Sequence, residues 1–274
     1  MSQIRVNDEF HETHGIITSD GELVTTSNPF PVTQVGGAAV SENSTFGLNV
    51  ARGLVPGITG VFKAGFNSAF ANGSQESFWS HSELYPWSSW GAGGTLSCVS
   101  GSASDTGTLT IVGLNSTTWE TQTETITLNG TTPVVTSNSY IRLNSLEYNG
   151  GSTNVSEIHA NRNGVCVGHI TAGVGLSQGA QYTVPAGYTA YMMQGTANIG
   201  KGNDGTGFFK YRVYGGSFDT ALTFLLYQST FDYTFSVPLP LPEKTDIDVT
   251  MIASNANTSA SCAYSVVLIA NPEE

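Results

Sequence analysis

From Val61 onward the chain repeatedly alternates apolar and polar residues with a period of two. In "FKYRVYGG" Phe209, Tyr211 and Val213 fall on one side and Lys210, Arg212 and Tyr214 on the other; in "TDIDVTMIA" Ile247, Val249 and Met251 oppose Asp246, Asp248 and Thr250. Successive side chains of an extended strand point to opposite faces, so these stretches predict strands with one buried face. "TLTIVGL", "ETITLNGTTPVV", "SYIRLNSLEY", "GVCVGHI", "QYTVPAGYTAYMM", "ALTFLLYQ" and "AYSVVLIA" add further strands, separated by Asn-Gly, Gly-Gly and Gly-Asn-Asp-Gly turns. No window carries an amphipathic helix of more than two turns, and no internal repeat or heptad is present. Strands spaced by about ten residues with turns between them predict an all-β chain: an antiparallel sandwich, jelly roll or barrel.

Residues 1–58 read differently. "DGELVTTSNPFPVTQVGG" offers a turn at Asp20-Gly21, a short strand around Leu23 and Val24, and then Pro29 and Pro31 on either side of Phe30, followed by Val32. A Pro-x-Pro pair holds the backbone extended and removes ladder donors, which suits a strap lying on another surface. This segment is expected to be an N-terminal arm whose docking residues are Leu23, Val24, Pro29, Phe30, Pro31 and Val32. The following "GGAAVSENSTFGLNVARGLVPG" is expected to be a linker with one short helix or strand. The predicted division is therefore 1–58 for arm and linker and 59–274 for the β domain.

Charge narrows the partners. Nine Lys and Arg against 21 Asp and Glu give a formal charge of −12, so the electrostatic attraction that dominates nucleic-acid binding is here a repulsion. Neither nucleic acid nor an anionic membrane is expected as a partner. Charged residues are only 11% of the chain, which fits strands and turns better than solvated helices. Cys98, Cys166 and Cys262 are odd in number and lack the paired spacing of a zinc site, so free thiols are expected. The start "MSQIRVNDEF" lacks a signal-peptide core, and no stretch has the apolar length of a membrane span. A protein made and kept in a reducing cytoplasm is the expectation.

Catalytic chemistry is hard to find. His11 and His14 in "HETH" meet on a helix but point apart on a strand, and the segment does not look helical. His169 sits in the apolar run "GVCVGHI" and reads as a core or interface residue. His81, beside Glu83 and the tryptophans, is the histidine whose setting best suits catalysis. "IGKGNDGTG" around Lys201 lacks P-loop spacing and reads as a hairpin turn. Glu76, Glu83, Asp105, Glu120 and Glu124 are glycosidase carboxylates by elimination alone. No catalytic residue, cofactor or metal is expected.

The remaining feature is "WSHSELYPWSSW", which places Trp79, Tyr85, Trp87 and Trp90 within twelve positions of a chain with four tryptophans. The rings can form a sugar-stacking platform, or they can supply packing area, since large aromatics bury roughly 150–250 Å² each. Several stretches, "FKAGFN" (62–67), "ESFW…LYPW" (76–87), "LSCVSGSASDTGTLTIVGLN" (96–115), "ETITLNGTTPV" (124–134), "IRLN" (141–144), "HITAGVGLSQGAQYTVPAGYTAY" (169–191), "YRVYGG" (211–216) and "PEKTDIDV" (242–249), resemble a family of virion structural proteins of tailed bacteriophages of marine and cyanobacterial hosts. The resemblance covers about 61–274. It implies a jelly-roll β-sandwich behind the arm, a homo-oligomer, on this basis a trimer, and a non-enzymatic decoration, cement or fibre-type protein of the virion. Its partners would be other capsid or tail proteins, and it would be assembled in the host cytoplasm. It also implies packing rather than sugar binding for the aromatic cluster. The alternative is a receptor- or glycan-binding tail tip in which Trp79, Trp87 and Trp90 stack on host sugar.

Overall fold

The computed structural model describes residues 4–8, 11–15 and 46–272. Contacts divide the chain into two units, 1–49 and 50–274. The first carries an antiparallel hairpin of β1 (Ile4–Asp8) and β2 (His11–Gly15), so "HETH" lies on a strand. The arm residues Leu23, Val24, Pro29, Phe30, Pro31 and Val32 lie outside the described residues. The expected linker contains one short helix, α1 (Phe46–Ala51).

The strands of the second unit, in chain order, are β3 (Ile58–Phe70), β4 (Gln75–Ser77), β5 (Ser97–Ser100), β6 (Thr108–Asn115), β7 (Thr121–Thr127), β8 (Val134–Val135), β9 (Tyr140–Asn149), β10 (Ile158–Arg162), β11 (Val165–Ile170), β12 (Tyr182–Thr183), β13 (Tyr188–Ile199), β14 (Asp204–Arg212), β15 (Asp219–Tyr227), β16 (Thr230–Leu241), β17 (Asp246–Ala253) and β18 (Thr258–Ala270). They form four antiparallel sheets, ordered β16-β13-β18-β3, β12-β17-β14-β15 with β4 also on β17, β11-β10-β5-β8, and β7-β6-β9. The all-β, antiparallel class expected from the alternation is present. A single two-sheet sandwich over 59–274 is not. The four sheets are arranged as a propeller-like ring. Residues of β3, β9, β11 and the segment entering β12 line a small cavity of about 30 Å³ where they meet.

Two hydrophobic cores explain the count of sheets. The first draws Met192 and Ala197 of β13, Cys262 and Val266 of β18, Phe209 of β14, Phe224 and Leu226 of β15 and Ile247, Val249 and Met251 of β17. The second draws Leu109 and Ile111 of β6, Tyr140 and Leu146 of β9, Ile158 of β10 and Val167 and Ile170 of β11, and it is contributed entirely by residues 79–170. β18 shows the expected one-sided pattern, with Thr258, Ala260, Cys262, Tyr264, Val266 and Leu268 buried and their alternates half-buried. β17 departs from it. Its alternation is as read, yet Asp246, Asp248 and Thr250 are as buried as Ile247, Val249 and Met251. The polar face assigned to solvent instead meets a layer of polar side chains between the cores.

One close backbone approach fixes where the chain passes between cores. A Cβ on Gly65 of β3 would lie 2.2 Å from the Phe78 carbonyl oxygen and 2.8 Å from the Ala180 nitrogen. Those two groups are themselves joined, Ala180 N–H donating to Phe78 O at 2.9 Å. Glycine is thus required at 65.

Candidate functional site

The aromatic stretch follows β4. Trp79, Tyr85 and Trp90 are buried in the second core, Trp90 completely. Tyr85 is edge-on to Trp79 at 5.1 Å and to Trp87 at 4.7 Å, and its hydroxyl donates to Val167 O at 2.9 Å. A stacking platform needs an exposed ring face, and these three rings have none; they supply packing area to the second core. Trp87, on the 3-10 turn Trp87–Trp90, is half-buried. The Arg142 and Arg212 guanidinium carbons each lie 5.6 Å from its ring centre, and its Nε1–H donates to Asp248 Oδ2 at 2.9 Å. Charge–ring contacts of this kind stabilise without requiring a ligand.

Beneath Trp87 lies a buried charge layer built on β17 and β9. Arg142 forks onto Asp246 at 2.7 and 3.0 Å, Arg212 adds contacts to Oδ2 at 3.0 and 2.5 Å, and Thr183 Oγ1 donates to Oδ1 at 2.7 Å. Asp248 accepts from Ser77, Trp87 and Gln181 at 2.9 to 3.0 Å. Burial pushes its carboxyl up to about 6, against the opposing pull of the three donors and the Lys210 ammonium.

A raised carboxyl pKa has a definite sign. The folded chain holds the Asp248 proton more tightly than the unfolded chain, where Asp titrates near about 3.9. Its contribution to stability is full below about pH 4 and is lost as pH rises through about 6, a change on the order of 2 to 3 kcal/mol. His169, held down at about 4 by burial, acts with the opposite sign over the same range, so the informative quantity is the difference between variant and parent. Asp248→Asn is expected to gain stability relative to the parent between about pH 4 and 6.5 and to keep the gain at pH 8. A pH-independent difference in urea midpoint would exclude this account.

The second constellation was not read from the sequence as a group. His159 on β10 and His169 on β11 are directly opposite in the ladder, and His81 from the turn after β4 leans over both. Ring centres are 5.0 Å apart for His159–His169, 5.4 Å for His81–His159 and 5.3 Å for His81–His169. Glu157 shares the His159 face two residues earlier. Its Oε2 lies 3.5 Å from His159 Nε2 and 3.7 Å from His169 Nε2. Ser80 Oγ is hydrogen-bonded to His169 Nδ1 at 2.7 Å, while His169 Nε2, fully buried, has no hydrogen-bond partner.

The local sequence explains why the pair was missed. Asn163 (φ 50°) and Gly164 (φ 80°) form the two-residue turn between β10 and β11, as Asn-Gly favours. Counting back symmetrically from that turn would set His159 against Gly168 and His169 against Ile158, on opposite faces. The ladder slips instead: Asn161 faces Cys166 but Ala160 faces Gly168, leaving Val167 as an extra residue. A one-residue bulge turns His169 to the His159 side.

The other sequence candidates are scattered. Glu76 accepts from Asn67 and the Ala71 amide, Asp105 from Ser100, Val155 and Ser156, and Glu124 from Ser137, Asn138 and Tyr140. Each is occupied in local structure. Glu83 and Glu120 are exposed. Lys201 lies in the turn between β13 and β14, and Cys98, Cys166 and Cys262 are free thiols.

No family model and no curated protein matches the chain. Among solved structures, a chain in the structure of infectious bursal disease virus Gt strain overlaps 86% of this chain and 76% of its own length. Identity is 10% and the TM-score 0.20, too low for a shared arrangement.

Proposed function

We propose that the chain is a non-enzymatic structural protein of a tailed-phage virion, a decoration, cement or fibre-type component that self-associates through its β domain and docks on capsid or tail through its N-terminal arm. The observation that carries this reading is an apolar open edge. β15 and β16 end their respective sheets. They expose Leu225 (52%), Tyr227 (63%), Tyr233 (41%) and Val237 (80%). Phe224 stacks on Phe231 at 4.9 Å across them. Apolar side chains exposed beside unpaired strand edges are a mark of association. Pro238 and Pro240 remove two main-chain donors from β16, which favours side-chain burial over strand addition.

Strand order supports the jelly-roll reading for the part of the ring around the first core. Number β3, β4 and β13 to β18 one to eight: the sheets then run six-three-eight-one and two-seven-four-five, the order of two interleaved Greek keys. A second copy of the chain is the partner proposed for the edge, in a closed ring that the family resemblance makes a trimer. The arm, with Phe30 between its prolines, is assigned to other virion proteins.

Light scattering at micromolar concentration is expected to give a multiple of the chain mass. Each of Tyr227→Asp and Val237→Asp is expected to weaken association at least tenfold, about 1.4 kcal/mol, while the melting temperature of the dissociated chain stays that of the parent. A monomeric parent chain would overturn the reading.

A further inference from the structure

We propose that His81, His159 and His169, with Glu157 as the fourth ligand, bind one divalent first-row transition-metal ion of the zinc type, and that the ion staples the turn after β4 onto the β10–β11 hairpin. One ligand nitrogen from each histidine falls within 4.8 Å of the other two. In a tetrahedral site with bonds of about 2.0–2.1 Å the donor atoms stand roughly 3.3 Å apart. Glu157 is already near that spacing from two of the imidazoles, at 3.5 and 3.7 Å. Small rotations of exposed His81 and half-buried His159 close the rest, because both rings sit on the solvent side of the cluster.

His169 is the observation that points to a ligand. A buried ring nitrogen without a hydrogen bond is costly, and His169 Nε2 is such an atom, 3.7 Å from the Glu157 carboxylate. The opposite nitrogen of the same ring is held by Ser80. With Nδ1–H donating to Ser80 Oγ, the tautomer leaves the Nε2 lone pair free, the arrangement outer partners impose on metal-ligating histidines. Burial first, and the neighbouring His159 imidazole second, disfavour the protonated forms of His81 and His169, which keeps their lone pairs available to a metal. The donor set of three imidazoles and one carboxylate suits zinc, copper or nickel rather than calcium or magnesium, which take oxygen ligands.

Two regions far apart in sequence would be joined by the ion: residues 79–90, which carry the buried tryptophans, and the β10–β11 hairpin with Glu157 at its start. Immediately after His81 the backbone holds Ser82 and Glu83 at φ 59° and 61°, two consecutive non-glycine residues in the left-handed region. An ion on His81 would hold that turn in place.

The test uses the full-length protein after dialysis against EDTA, titrated with zinc chloride by calorimetry. One equivalent per chain is expected, and a free zinc concentration about a hundredfold above the dissociation constant should raise the melting temperature by about 5 to 10 °C. His81→Ala, at an exposed position, should fold and melt like the metal-free parent. It should bind zinc on the order of 100-fold more weakly or worse, since loss of an outer partner alone costs 10- to 100-fold. Glu157→Gln should weaken binding and remove most of the thermal shift. The double variant His11→Ala/His14→Ala should bind as the parent does. Absence of a saturable single site, parent-like affinity in His81→Ala, or loss of binding in the His11/His14 variant would each overturn the proposal.

Discussion

Asp246→Ala is expected to lower the free energy of unfolding by about 3–5 kcal/mol, the cost of breaking a buried ion pair from one side. Asp246 accepts from both arginines and from Thr183, and its side chain is 3% exposed against 11% for Arg142 and 24% for Arg212. Removing the carboxylate leaves the Arg142 guanidinium inside the protein with, among the described residues, only the Ile141 carbonyl as hydrogen-bond acceptor, together with the Trp87 and Trp119 ring faces. Arg212, nearer solvent, can turn outward and contributes less. Whether the pair itself stabilises is a separate matter, because an apolar replacement of both partners can be neutral. A double-mutant cycle with Arg142→Ala separates the two: the double variant is expected to be less damaged than the sum of the single ones by at least about 1 kcal/mol. Urea denaturation measures all four corners. A loss below about 1 kcal/mol for Asp246→Ala would mean that water or another group replaces the carboxylate, and the layer would lose its structural role.

Trp90→Ala is expected to cost about 3–5 kcal/mol, and to lower the melting temperature by roughly 10 °C. Trp90 has no exposed surface and is among the largest fully buried side chains, packed in the second core with Leu96, Tyr140 and other residues of that cluster. Its removal leaves a cavity that the short turn Trp87–Trp90 cannot fill by collapsing, since Trp87 is tied to Asp248. Trp87→Ala should cost less, because Trp87 is only half-buried and its removal opens the site toward solvent. Equal losses for the two variants, or a Trp90→Ala protein that melts with the parent, would contradict this placement.

The contrast between the two tryptophans shows which parts of the fold were open to reading. Strand positions followed from alternation and from turn residues such as Asn163-Gly164, because both are local. The number of sheets was not accessible: a strand reads the same whether its partner belongs to the same core or to another. β17 makes the point most sharply. Its Asp246 and Asp248 were assigned to solvent by a rule that takes charge for exposure, and the rule failed because the compensating groups, Arg142, Arg212, Thr183, Gln181 and Ser77, lie far off in sequence. The histidine cluster failed for a related reason. His159 and His169 occupy ordinary strand positions, and a single bulged residue, Val167, beside a Gly168 that reads equally well as an ordinary strand glycine, decides that they share a face. His81 then arrives from a loop whose path depends on both cores.

β4 and β12 pair with the same strand, β4 opposite Thr250, Met251 and Ile252 and β12 opposite Asp246 and Ile247. They are in effect one edge strand, interrupted where the chain departs after Phe78 and returns at Ala180. The entropic penalty for closing such an excursion rises only with the logarithm of its length, about 0.6 kcal/mol per doubling. Thermodynamically, then, the frame is almost indifferent to how much chain hangs from the neck; kinetically it is not, since the edge can be completed only after distant residues meet. What ties the lobe to the frame is instead the set of polar contacts across the neck, Arg142 on Asp246 and Trp87 on Asp248 among them. The frame can therefore keep its own register while the lobe is lengthened or pruned at its far end, provided that the segments bearing Trp87 and Arg142 stay at the neck.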